Sequence, residues 1–316
     1  MKPNGFLNGV GDVVSALCAK SVLVAFALLL AGGFAGVFES NGFAQRPADR
    51  DIPTKPFNVI GNIYYVGVTD PGGKGTQDSV SYLITTPEGL ILMDTQYEET
   101  VPIIRDNIQK LGFRIQDVKI MINSHAHTDH MQGHPRMKEL TGAQVVMSER
   151  DAVVLADGGV TDFRSDGRQL WEPMQADRII HEGDTVTLGG VTLTAYITPG
   201  HTKGCTTWTM VTRDGGRDYN VVFPCGVRAQ QNVPLLGNPK YPEIADDFHR
   251  SFAKLKTLPC DVFLGAHGSW ANLTDKFQRK ERGETPNPFI NPEEYKDYIA
   301  TFERTFVDQL LAERSR

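Results

Sequence analysis

Basic residues are in short supply. The chain sets 32 Lys and Arg against 38 Asp and Glu over 316 residues, a formal charge of −6, and has no basic block of the kind that neutralises phosphates. Nucleic acid is therefore not an expected partner. Cysteine is scarcer still, with four residues in no regular spacing, so no disulfide framework substitutes for a packed core. Apolar runs long enough for several membrane spans are missing, and neither a repeat nor a low-complexity linker occurs from Pro56 onward. The remaining balance, 40% hydrophobic and 22% charged, is that of an ordinary globular chain with ample length for a core.

A leader has to be set aside first. Lys2 and Lys20 precede an apolar run from Ser21 to about Phe38, and Gly42 and Ala44 offer small residues at the −3 and −1 positions of a cleavage site. Residues 1–44 are thus expected to be a signal peptide directing the chain to the periplasm or out of the cell, with residues 45–316 as one domain. The run is also near the length of one membrane-spanning helix, which leaves an uncleaved anchor as the other reading. After cleavage no stable span is expected. Cys205, Cys225 and Cys260 then remain, an odd number in an oxidising compartment, so at least one thiol stays unpaired within the chain. A Cys205–Cys260 disulfide is one candidate pairing.

Strand-like and helix-like stretches alternate along the rest. Val80 to Thr85, the turn Pro87-Glu88-Gly89 and Leu90 to Met93 read as a hairpin ending in Asp94. Glu98 to Leu111 has helical spacing, with Val101, Ile104, Ile108 and Leu111 on one face and Pro102 in the first turn. Val118 to Ile122 is a short apolar strand. A helix from Arg136 to Leu140, a strand from Ala143 to Met147 and a Gly- and Asp-rich surface loop from Asp157 to Arg168 follow. Next come strands Thr185 to Leu188, Val191 to Ile197, Thr206 to Val211 and Val221 to Phe223. A helix Pro242 to Leu258, a strand Val262 to Gly265 and a helix from about Pro292 to Ala312 complete the chain. Two successive strand-rich halves predict an α/β fold with two sheets face to face and helices outside.

Chemistry concentrates at strand ends. Ser124-His125-Ala126-His127-Thr128-Asp129-His130 begins just after the strand Val118 to Ile122, the place where α/β architectures carry their sites. His125 and His127, two apart on an extended segment, can point the same way and share a metal. Asp129 and His130 follow where the chain must turn, and can reach a second metal. His201, in Thr198-Pro199-Gly200-His201-Thr202, and His267, in Gly265-Ala266-His267-Gly268, each follow an apolar strand and complete six positions. Zinc takes neutral imidazole and carboxylate, and hydrolytic sites leave room for water. His134, His181 and His249 lack such a context and read as solvated or hydrogen-bonded structural residues. Asp94 reads either as a carboxylate orienting a ligand or as a strand-end acceptor, and Trp171 as a wall of the site or as packing.

In these residues the chain resembles the metallo-β-lactamase superfamily, whose HxHxDH motif matches His125 to His130. The resemblance runs through nearly all of the mature chain, including Met93-Asp94-Thr95, Thr198 to Thr202, Gly237-Asn238-Pro239 and Gly265 to Gly268. It is closest to subclass B3, partly through Thr285-Pro286-Asn287-Pro288-Phe289-Ile290. It implies an αββα four-layer sandwich and two Zn2+ per chain, one on His125, His127 and His201, the other on Asp129, His130 and His267. It further implies attack of a zinc-bound hydroxide on the amide carbonyl of a β-lactam, with Asp129 both binding metal and orienting the nucleophile.

The superfamily also contains thioester, lactone, phosphodiester and nucleic-acid hydrolases, many of which place a bridging aspartate after the strand between the last two histidines. Here that place reads Phe223-Pro224-Cys225-Gly226-Val227, without an acid, which favours a small β-lactam substrate and a role in antibiotic resistance. A lactone or another substrate, or a non-catalytic zinc-binding protein, is the alternative. Cys225 reads as a buried thiol or, less in keeping with His130, as a sulfur ligand. Some B3 enzymes hold the substrate carboxylate with serines just after this position. Gly226, Val227 and Arg228 stand there instead, leaving Arg228, Gln230, Gln231 and Asn232 as candidate substrate contacts or as a solvated loop.

Overall fold

Side-chain alternation sorts the strands into two back-to-back sheets. In Val118–Ile122, Ile120 and Ile122 enter one apolar cluster while Met121 enters another. Ile91 and Met93 separate in the same way from Leu90 and Leu92, and Val221 and Phe223 from Val222. Such a period of two is what a strand buried on both faces must show.

The computed structural model describes residues 55–68 and 78–316; the expected leader, residues 1–44, lies outside the described residues. Strands β1 (Phe57–Ile60), β2 (Ile63–Tyr65), β3 (Tyr82–Thr86), β4 (Gly89–Met93), β5 (Val118–Ile122), β6 (Gln144–Ser148) and β7 (Arg178–Ile180) lie side by side in chain order as the first sheet. Pairs from β1 to β4 are antiparallel, and those from β4 to β7 are parallel. The second sheet holds β8 (Thr185–Leu188), β9 (Val191–Ile197), β10 (Thr206–Asp214), β11 (Arg217–Phe223) and β12 (Val262–Phe263), ordered β12-β11-β10-β9-β8.

Residues from both sheets share the central cluster, among them Ile84, Ile122, Val146, Leu193, Trp208 and Phe223. Helices α1 (Val101–Lys110), α2 (Thr128–Met131), α3 (His134–Thr141) and α4 (Glu149–Ala156) follow strands of the first sheet. Val101, Ile104 and Ile108 of α1, Met137 of α3 and Leu155 of α4 cover that sheet's outer face. Helices α5 (Ile244–Leu255), α6 (Leu273–Glu281) and α7 (Pro292–Arg314) come later. Phe248 and Phe252 of α5 pack with Ile299 and Phe306 of α7 against Val222 and Phe263 on the second sheet's outer face. The result is the αββα sandwich. No helix among the described residues is long and apolar enough to cross a membrane.

Several elements depart from the sequence reading. The helix expected from Glu98 starts as a 3-10 turn, Glu98–Thr100, and becomes α1 with Pro102 near its start, where no N–H is missed. Helices α4 and α6 and strand β7 occupy stretches that had no assigned element. The Asp157 to Arg168 segment is a loop as expected, but Asp162 within it is tucked against His127.

Candidate metal centre

The six candidate ligands come together at one edge of the sandwich. They arrive on the connection after β5, on the turn after β9 and on the turn after β12. An isolated bridge between Ser79 and His267 joins the end of the second sheet to a segment leading into β3.

Two triads result. His125, His127 and His201 form one, and Asp129, His130 and His267 the other; within each, one donor atom per residue lies within 4.8 Å of the rest. In the first, ring centroids are 4.5, 4.8 and 4.7 Å apart, an almost equilateral arrangement. In the second, His130 Nε2 lies 3.2 Å from His267 Nε2 and 3.3 Å from Asp129 Oδ2, which is 3.5 Å from His267 Nε2. A tetrahedral zinc with bonds of about 2.0–2.1 Å needs donors roughly 3.3 Å apart. The residues fit the ion. His125 and His130, with ring centroids 4.0 Å apart, bring the triads into contact.

Four of the five rings are turned by a hydrogen-bond partner. Asp94 sits at the end of β4 with φ 57°, a left-handed conformation that a short polar side chain tolerates better than most. Its Oδ1 accepts the Ser124 N–H at 2.7 Å, and its Oδ2 accepts the Ser124 hydroxyl at 2.7 Å and His130 Nδ1–H at 2.8 Å. Both sequence readings of Asp94 hold at once: it orients a ligand ring and it accepts a backbone N–H beyond the strand end. Having given its proton to Asp94, the Ser124 oxygen accepts His125 Nδ1–H at 3.0 Å. His125 Nε2 is then left buried and without a hydrogen bond, as a metal ligand should be. His201 Nδ1–H donates to the Arg228 carbonyl at 2.9 Å, and His267 Nδ1–H to Asp78 Oδ1 at 2.9 Å.

Charge follows this wiring. Burial, followed by the charges of His130 and Arg164 respectively, keeps His125 and His127 well below the ordinary imidazole range. Burial and Arg164 bring His201 down to about 3. The first triad therefore presents neutral nitrogens. Burial also opposes charge on His130, but the carboxylates of Asp129 and Asp94 outweigh it and hold that ring up at about 10. Burial opposes ionisation of Asp129, yet His130 and His267 keep its carboxyl well below the usual range. The second triad is thus a place where a cation can take over from a proton.

A cavity of about 510 Å³ opens onto both triads, and Arg228, Gln230, Gln231 and Asn232 all line it. Asp78, Arg164, Ser269 and Trp270 line it too, and sequence reasoning had picked out none of them. Arg164 lies 3.6 Å from Asp162, whose other neighbour is His127 Nε2 at 3.5 Å. A second cavity of about 620 Å³ shares Arg164, Gln230 and Asn232 with the first and is walled by Phe163 and Trp171. Trp171, 1% exposed, both packs in the core and forms this wall. The rim is held from a distance. Gln309 Nε2 of α7 donates to the Val233 carbonyl at 3.0 Å, and Glu313 Oε2 accepts the N–H groups of Leu235 and Leu236 at 2.8 and 2.9 Å.

The cysteines correct one expectation. Cys205 pairs with Cys225, with Cα atoms 5.7 Å apart, and Cys260 stays free. The Cys205–Cys260 pairing therefore does not form, and Cys225 is neither a free thiol nor a metal ligand. β10 and β11 are neighbours in the sheet, which brings the start of one beside the end of the other. His134 bonds Thr95 at 2.8 Å, His181 is exposed and His249 stacks edge-on against Phe306, all outside the triads.

Gly226 lies against a ligand ring. A Cβ there would lie 2.4 Å from His201 Cδ2, so any side chain pushes on a ligand ring. Gly226→Ser is expected to weaken metal binding at the first triad by about tenfold or more. Competition titration against a chromophoric chelator measures this, and wild-type affinity would show that the ring gives way freely.

Comparison with known proteins agrees with the geometry. A family model described as the metallo-β-lactamase superfamily matches residues 75–214. The native FEZ-1 metallo-β-lactamase from Legionella gormanii is 38% identical with a TM-score of 0.79, over 84% of this chain and 99% of that one. BJP-1, a subclass B3 metallo-β-lactamase of Bradyrhizobium japonicum, is 40% identical with a TM-score of 0.76, over 85% and 98%. The mitochondrial persulfide dioxygenase of Homo sapiens is 24% identical over 62% of this chain and 66% of its own length. The chain spans between 40% and 66% of the length of the curated relatives it matches.

Proposed function

This chain belongs to the metallo-β-lactamase superfamily, and on that premise we propose that it uses two zinc ions to hydrolyse the ring amide of a β-lactam. The observation that carries the choice of substrate is position 225. Its cysteine is tied to Cys205, so no carboxylate there joins the two triads, and Asp129 is the single carboxylate among the six donors.

When bound, zinc lowers the pKa of water and draws electrons from an attacked carbonyl. The chain's residues supply the rest. Asp129 accepts a hydrogen bond from the attacking water and so aims its lone pair, while Asp94 and Asp78 fix the rings beside it. Arg164 and Arg228 bring positive charge to the cavity, suited to the carboxylate such substrates carry. Gln230, Gln231 and Asn232 offer amide donors and acceptors on the same wall. Export to the periplasm, where ring opening amounts to antibiotic resistance, is in keeping with the Cys205–Cys225 disulfide.

Hydroxyacylglutathione hydrolases among the curated relatives favour a second reading, in which the substrate is a glutathione derivative. A side-by-side turnover assay on a cephalosporin, a carbapenem, an acyl-homoserine lactone and a glutathione thioester tests the choice. Zinc-dependent opening of a β-lactam is expected; turnover confined to the thioester or the lactone would overturn it. Arg164→Ala is expected to raise KM for the β-lactam by roughly tenfold with kcat little changed, since a contact made equally in ground and transition states is lost.

A further inference from the structure

Asp151 is fully buried and stands third in α4. A carboxylate at that position of a helix commonly turns back to the first N–H of its own helix. Here its hydrogen bonds cross to two other loops. Oδ2 accepts the Ala126 N–H at 2.8 Å and the Thr202 hydroxyl at 2.9 Å, and Oδ1 accepts the Gly204 N–H at 2.8 Å. Ala126 lies between His125 and His127, and Thr202 directly follows His201. One carboxylate therefore bridges the two loops that carry the three members of the first triad.

The bridge is built closely. At Gly204 a Cβ would lie 2.4 Å from the Asp151 nitrogen and 2.6 Å from its Oδ1, leaving no room for any other residue. The Ser148 hydroxyl also donates to the Gly204 carbonyl, clamping the same turn to the start of α4. Burying a carboxylate is costly, and an apolar side chain would fill the space more cheaply. What an apolar residue cannot do is hold two separate loops at fixed separation through three directed bonds. The second triad has other supports, Asp94 on His130 and Asp78 on His267.

We propose that Asp151 is a positioning residue for the first triad, setting the distance between the His125–His127 loop and His201 and so the metal affinity of that triad alone. This rests on the metal-dependent reading above. Asn at this position keeps the shape, but turns an amide NH2 towards donors and loses at least one of the three bonds.

The test combines Asp151→Asn with His267→Ala, which leaves the first triad intact, and separately with His201→Ala, which leaves the second. Zinc affinity is read by competition with a chromophoric chelator, and the melting temperature of each metal-free protein is recorded alongside. Expected is a loss of about 10- to 100-fold in the first background, none in the second, and a metal-free melting temperature close to that of the parent. Thr202→Val, which removes one bond only, should give a smaller loss confined to the first triad. Equal losses in both backgrounds with a lowered metal-free melting temperature would make Asp151 a general structural residue and overturn the proposal. Unchanged affinity in both would overturn it as well. Failure of the parent protein to bind zinc would instead remove the premise, which separates the two failures.

Discussion

Asp129→Asn is expected to fold normally and to lose turnover by at least about 100-fold. Removing partners that merely orient metal ligands typically costs about 10- to 100-fold, so replacing a ligand that also aims the nucleophile should reach or exceed the upper end. The substitution keeps the shape and removes the charge. Asp129 Oδ2 faces His130 Nε2 at 3.3 Å and His267 Nε2 at 3.5 Å; an amide oxygen is a poorer donor to a dication, and an amide nitrogen is none. The side chain is a quarter exposed and lies at the start of the short helix α2, so the fold is expected to survive the change. Steady-state kinetics with zinc titration and a melting curve provide the check. Near-normal kcat would refute the role assigned to this carboxylate.

Stripping the metal should have an equally large effect on both activity and stability. The chain buries the neutral imidazoles of His125, His127 and His201 beside the charged ring of His130 within one small volume, and this crowding away from water leaves His125 Nε2 without a partner. A cation on the first triad satisfies that atom, and one on the second takes over from the proton that Asp129 and Asp94 hold on His130. At a thousandfold excess of free zinc over its dissociation constant, linkage adds about 4 kcal/mol to folding stability. For a domain of this size that corresponds to a melting temperature on the order of 10 °C lower in chelator than in zinc. Turnover should fall to background and return on adding zinc. A melting temperature indifferent to chelator would argue that the triads hold no ion.

Legibility in the sequence followed the locality of the signal. The sandwich was readable because Val118 to Ile122, with Lys119 as its one polar residue, and Val221 to Phe223 are short apolar runs of the kind that strands covered on both faces need, and because the His125 to His130 cluster is contiguous. Helix α4 escaped notice since it is eight residues long, carries Val153 and Val154, and runs straight out of β6. The partners of the ligands were harder still. Asp78 and His267 are 189 positions apart, and nothing local marks either Asp78 or Asp162 as a carboxylate aimed at a ring. Cys205, Cys225 and Cys260 admit three pairings, and only the adjacency of β10 and β11 selects one. Nothing in the sequence marks Gly226 as the residue that leaves space for the His201 ring.

The hold of α7 on the rim puts the far end of the polypeptide in charge of the entrance. Gln309 and Glu313 grip main-chain groups of residues 233, 235 and 236, which lie 76 to 78 positions earlier in the chain. Main-chain contacts ignore which side chains the rim carries. The rim is thus free to change its sequence while its path stays anchored, so substrate range can drift by rim substitutions without loss of the scaffold. Conversely, substitutions at Gln309 or Glu313 act on that path without changing any residue that lines the cavity over the triads.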